Sequence, residues 1–254
     1  MSDDIAACAE IVARGDPHRF RATMAAPVPA REKLFPLYAL NVEVSRAPWV
    51  TAEPGIAEIR LQWWIDALNE IAADGVVRRH EVVVPLAMHL APDQARALVP
   101  LVEARSWDIY NDPFETSAAL MAHIADTSGR LMETAAGLLG PGAEAPAREA
   151  GLALGLANWF LAVPALTAAG RRPLPDDSDA ALTALAETGL AHLENARRAS
   201  IPAAARPAFL PLAGAARILR RARKAPARIR DGGLAVSPFR ERLDLMKAAL
   251  TGRW

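Results

Sequence analysis

Apolar residues recur at three- and four-residue spacing along almost the whole chain, and that rhythm leaves room for little besides helices. Alanine, leucine and arginine, all good helix formers, dominate the composition. The one β-like run, Val82-Val83-Val84, is too short to found a sheet. The spacing predicts helices over Asp3–Arg14, Pro17–Ala25, Ala30–Trp49, Ile56–Ala73, Val83–Leu90, Pro92–Tyr110, Ser117–Gly137, Ala145–Ala169, Ser178–Ala199, Ala203–Lys224 and Ser237–Thr251. Asp16-Pro17 and Ala91-Pro92-Asp93 read as helix starts with proline in the first turn. Gly15, Gly75, Gly140 and Gly170 fall where helices should stop. No repeat, low-complexity tract or long Gly/Ser linker interrupts the pattern, so one all-α domain spanning residues 1–254 is expected.

Apolar residues make up 52% of the chain and charged residues 23%, enough for a sizeable core. Lys plus Arg and Asp plus Glu number 29 each, so net charge selects no polyanionic partner. The single Cys8 excludes an internal disulfide and fits a reducing compartment; its apolar helical setting predicts a buried structural thiol. The Met-Ser-Asp-Asp opening is acidic where a secretory leader would be basic. The apolar stretch Ala150–Ala169 holds Asn158 and Pro164 and runs into Arg171-Arg172, so it reads as a buried helix rather than a membrane span. A cytoplasmic protein is expected.

Familiar catalytic patterns are missing from the sequence. His18, His80, His89, His123 and His192 show no metal-ligand spacing, and no nucleophile elbow, phosphate loop or dinucleotide glycine pattern occurs. One run suggests an anionic partner. Arg217, Arg220, Arg221 and Lys224 have the i, i+3, i+4, i+7 spacing of a single helical stripe. A solvated face and a contact with anionic lipid headgroups are the two readings. Nucleic acid is not expected, because no aromatic residues interleave with the basic ones.

Several segments in order carry a resemblance. Asp16-Pro17-His18-Arg19-Phe20, Pro29-Ala30-Arg31, Leu37-Tyr38-Ala39-Leu40, Arg60-Leu61-Gln62-Trp63-Trp64, Asp112-Pro113-Phe114-Glu115 and Gly170-Arg171 with Leu174-Pro175 resemble the squalene/phytoene synthase family over about residues 16–250. The resemblance implies an isoprenoid-synthase-like helical bundle around a central cavity. In active members two aspartate-rich segments hold magnesium, and carboxylates four residues apart on a helix do this from one face. Matching on the flanking motifs puts Val42, Ser45, Arg46 and Trp49 in the first segment, and Ala162 and Leu166 at the two acids of the second. None of these is a carboxylate, and magnesium demands oxygen ligands. The family's substrate-lining tyrosine aligns with Leu120.

For carboxylates that could replace the missing acids, the sequence offers three sets. Asp66 with Glu70, and Asp108 with Asp112, have the spacing but read as solvated helix faces, whereas Glu43 lies beside the first segment. Tyr38, Asn41, Glu43, Trp63, Asn158 and Arg171 are the candidate cavity residues. Trp63-Trp64 reads as core or groove lining, with a partner surface as the alternative. Asn41-Val42-Glu43-Val44 and Glu58 through Leu68 resemble the branch that holds the mitochondrial complex I assembly factor and its bacterial relatives. That branch implies a binding or assembly role without a cofactor, for a respiratory-complex client, at the inner-membrane surface. The alternatives are an active prenyltransferase with atypical magnesium ligands and a non-catalytic binder of an apolar lipid or isoprenoid.

Overall fold

The computed structural model describes residues 3–51, 53–110 and 112–254. Met1 and Ser2, half of the acidic opening, lie outside the described residues. Every regular element among the described residues is helical.

The first three helices, α1 (Asp3–Gly15), α2 (Pro17–Met24) and α3 (Val28–Arg46), pack on one another. Asp16 caps α2 as the sequence implies: its side chain accepts from the Arg19 amide at 2.9 Å and from the Arg19 guanidinium at 2.6 Å. Helix α3 is buried from Leu34 to Val42 and tightens into a 3₁₀ turn at Ala47–Trp49. Cys8 of α1 is fully buried, and burial, helped by Glu81 and Asp4, pushes its thiol up to about 12.

Helix α4 (Pro54–Ala72) packs on α6 (Pro92–Glu103), with the short α5 (Val83–Ala87) between them in sequence. The β-like Val82-Val83-Val84 therefore opens a helix. At the end of α4, Asp74 takes the left-handed conformation (φ 52), one residue before the stop expected at Gly75. The predicted Pro92–Tyr110 helix breaks into α6, a 3₁₀ turn at Ala104–Ser106 and α7 (Trp107–Tyr110).

Helices α8 (Ser117–Ile124) and α9 (Arg130–Leu139) are joined by a π-helical stretch, Ala125–Gly129. The central helix α10 (Glu144–Ala168) packs against this stretch, against α9, and against α11 (Asp179–Arg198). Close approach there depends on absent side chains. A Cβ at Gly151 would lie 2.6 Å from the Ser128 carbonyl oxygen, and one at Gly155 2.5 Å from Ile124 Cγ2. Helix α10 is long and apolar enough to cross a membrane, but 56% of its apolar window is buried inside the fold, as a core helix requires.

The predicted Ala203–Lys224 helix splits in two. Residues 203–212 form a 3₁₀ stretch containing Pro207 and Pro211, and Gly214 (φ 92) turns the chain into α12 (Ala215–Lys224). Two further helices, α13 (Ala227–Arg230) and α14 (Pro238–Thr251), complete the fold. Buried apolar side chains form a connected cluster from Ile5 to Ala248.

Candidate functional site

The C-terminal end of α3, α7, α8 and the second half of α10 converge on a half-buried centre. Four rings meet there: Trp107, Phe114, His123 and Trp159. Trp107 stacks on Phe114 at 4.9 Å between centroids, and Trp159 lies 5.3 Å from Trp107 and 5.4 Å from His123. The Trp159 indole donates to the Pro173 carbonyl at 2.9 Å, fixing α10 to the segment that follows it. The π-helical stretch helps to aim His123, since Thr127 Oγ1 donates to the His123 carbonyl at 2.7 Å. Burial, reinforced by Arg105, pushes His123 down to about 3, so the ring is neutral at physiological pH.

Charge beside the rings is mostly positive. Arg105 approaches Asp108 at 3.9 Å and reaches toward Asn41 Oδ1 at 3.5 Å. Arg171 donates to the Asp108 carbonyl oxygen at 2.5 Å and lies over the Trp49 ring at 4.9 Å. Burial raises the Asp108 carboxyl above its ordinary value, against the pull of Arg105 and Arg171. Burial also lowers Arg105. Arg105 therefore has the Asp108 carboxylate as its acidic neighbour, while Arg171 bonds the main-chain carbonyl of the same residue. Arg105 Nε, Trp107 Nε1, Arg171 Nη1 and the Ser128 hydroxyl are buried polar groups with no hydrogen-bond partner among the described residues, and three of the four are N–H donors. The unmatched groups of this centre are mostly donors.

The sequence-predicted cavity residues divide among four places, with Glu43 on the surface beside Arg46. Tyr38, Asn41 and Arg171 belong to the half-buried centre or its edge. Tyr38 is buried with the Arg19 guanidinium 5.6 Å over its ring, and burial pushes its hydroxyl up to about 12. Trp63 belongs to a separate cluster, with Trp64 at 4.8 Å, His80 at 5.1 Å and the Arg78 guanidinium 4.6 Å over its ring. Asn158 is exposed and lines a small cavity of about 150 Å³ with His18, Leu154 and Ile218.

The residues matched to the metal segments lie near the centre's rim. Ser45 donates to the Asn41 carbonyl at 2.6 Å, and Arg46 pairs with Glu43 at 3.5 Å on a largely exposed surface. Trp49 is 48% exposed, and Ala162 and Leu166 are half-buried. Leu120 is fully buried. The substitute carboxylates are engaged elsewhere: Asp66 accepts from Gln62 at 2.8 Å, and Glu70 accepts three bonds from the Arg78 guanidinium and one from its amide. Asp108 corrects the solvated-face reading, because it is buried beside Arg105. Among the described residues no three His, Cys, Asp or Glu side chains come together as a metal-ligand set.

The basic stripe also differs from its helical-wheel picture. Arg217 pairs with Asp244 at 2.8 Å, and Arg221 donates to the carbonyls of Gly233, Leu234 and Ala235. Arg220 and Lys224 remain exposed.

A bundle whose long apolar helices enclose a polar centre is the architecture of the enzymes that condense prenyl diphosphates. Aligned structurally, the chain matches a dehydrosqualene synthase crystallised with a ligand at a TM-score of 0.76 and 17% identity, covering 98% of this chain and 97% of that one. It also matches the squalene synthase HpnC from Alicyclobacillus acidocaldarius at 0.70 and 15% identity, covering 87% and 93%. Residues 12–178 match the squalene/phytoene synthase family, and the chain belongs to that family. No curated protein matches it.

Proposed function

We propose that this chain has given up magnesium-dependent prenyl diphosphate condensation and works as a binding or assembly factor at the cytoplasmic face of a membrane. The supporting observation is the charge of the centre: Arg105 approaches the Asp108 carboxylate, Arg171 bonds the backbone carbonyl of the same residue, and three of the four unmatched buried groups are N–H donors. Magnesium takes oxygen ligands, and in prenyl transfer it would neutralise the departing diphosphate. The side chains at the matched positions, Ser45, Arg46, Trp49, Ala162 and Leu166, do not suit it. The implied metal does not fit this donor set.

Purified protein incubated with farnesyl or geranylgeranyl diphosphate and magnesium should release no pyrophosphate above the protein-free control. Magnesium-dependent release would restore the active-prenyltransferase reading. Mass spectrometry of lipid extracted from fresh protein should reveal no bound isoprenoid; a stoichiometric one would favour a lipid-binding role.

The client class comes from the branch resemblance in residues 41–44 and 58–68. Deleting the gene in its native host should lower the amount of assembled respiratory complex I on a native gel. An unchanged amount would remove complex I as the client.

A further inference from the structure

Helix α14 is held to the fold by one side. Its buried residue is Ala248, Leu245 packs against the core, Glu241 pairs with Arg21 at 2.8 Å, and Asp244 pairs with Arg217. The opposite side carries Phe239, Leu243, Met246 and Leu250, exposed at 76, 36, 53 and 79%. Their spacing of four, three and four residues places them within about 60° of one another on the helix, diametrically away from Ala248. Arg242 flanks this stripe on one side, and Arg240 and Lys247 on the other. A soluble protein seldom aligns four large apolar side chains outward without something to cover them.

Beside the Lys247 flank lies a groove of about 940 Å³ between α11, α12 and α14. Arg197, Arg206, Arg220, Lys224, Lys247 and Arg253 line it. Its sole acidic side chain, Asp244, is already bonded to Arg217. Arg197 is held by the Trp254 carbonyl oxygen and ring, while Arg206, Arg220, Lys224, Lys247 and Arg253 have no carboxylate partner among the described residues. Burial, together with the field of Arg220, holds the Arg197 guanidinium below its ordinary value. Outward apolar residues bordered by cations are the pattern of a helix lying in a membrane interface, with its apolar face in the acyl boundary and its basic residues among the headgroups.

We propose that α14 is an interfacial helix that seats Phe239, Leu243, Met246 and Leu250 in an anionic bilayer while the adjacent cationic groove takes the lipid phosphates. This deepens the membrane-surface part of the proposed function and is independent of whether prenyl chemistry survives. It also moves the contact from the α12 stripe, where Arg217 and Arg221 are occupied, to the face shared by α12 and α14.

Flotation with vesicles tests it directly. The wild-type protein should float with vesicles of phosphatidylcholine and phosphatidylglycerol, and not with phosphatidylcholine alone. F239S/M246S/L250S should lose at least tenfold in partitioning with its thermal midpoint unchanged, because the three side chains are exposed. R220Q/K224Q/K247Q should lose a similar factor, and its remaining binding should respond less steeply to salt. Inorganic phosphate, followed through the fluorescence of Trp254 in the groove, separates a headgroup from a free ion. The proposal is overturned if neither vesicle binds the wild type, which would point to a protein partner for the stripe. It is also overturned if the apolar triple variant binds vesicles normally while phosphate saturates the groove, which would make it a soluble-anion site. The pyrophosphate assay leaves this result untouched, so the two proposals fail separately.

Discussion

The half-buried centre and the C-terminal face are both positively charged, but the fold treats their charges in opposite ways. At the centre, Arg105 is buried beside the Asp108 carboxylate, and Arg171 bonds the Asp108 main-chain carbonyl and lies over Trp49. At the C-terminal face, Arg220, Lys224 and Lys247 reach solvent beside an apolar stripe. Buried charge must be matched within the molecule, and removing one partner is costly. Surface charge contributes little to folding and is free to recognise something outside. On the proposed reading, the centre serves the architecture and the C-terminal face serves contact.

The largest effect should come from breaking the centre's rings. Trp159→Ala removes an indole that touches Trp107, Phe114 and His123 and is bonded to Pro173. It should cost about 3–5 kcal/mol in urea unfolding. A loss below about 1 kcal/mol would mean that the centre is loosely packed and able to accept a ligand.

Protonation gives the next effect, and its sign follows from His123. The folded-state value is lowered from 6.5 to about 3, so between those values the unfolded chain binds a proton that the folded chain does not. Stability should therefore fall as pH drops through that window, by up to about 1.4 kcal/mol per pH unit. His123→Leu should flatten that slope whatever it does to stability at neutral pH. An unchanged slope would mean that other groups carry the acid sensitivity.

How much of this was legible in the sequence depended on distance along the chain. Helix starts were local and readable: Asp16 caps, Pro17 occupies the first turn, and Pro92 does the same for α6. The break within Ala203–Lys224 was local too, because Pro207, Pro211 and Gly214 all disfavour a continuous helix, but the alanine-rich background masked it. The centre was largely hidden. Trp107, Phe114, His123 and Trp159 have no shared motif, and tertiary packing alone brings α7, α8 and α10 together. Asp108 carried the right spacing, but the sequence showed neither its burial nor its arginine neighbours. The α12 stripe was readable as a pattern, whereas Asp244 and the 233–235 carbonyls that occupy half of it come from later in the chain.

The smallest effect sharpens the contrast from the other side. Glu43→Gln breaks only the Glu43–Arg46 pair, whose side chains are 31 and 64% exposed, and should change stability by less than about 0.5 kcal/mol. A larger loss that appears only with magnesium present would make Glu43 a ligand.

Thermal unfolding with and without millimolar magnesium, in the presence of geranylgeranyl diphosphate, tests the central claim most directly. A metal that binds only the folded state raises stability by about 2.7 kcal/mol at a hundredfold excess over its dissociation constant, a shift of several degrees. A centre whose unmatched groups are mostly donors predicts the same midpoint with and without magnesium. A clear upward shift, lost in Glu43→Gln or Asp108→Asn, would show that the chain still holds the family's metal and would contradict the account.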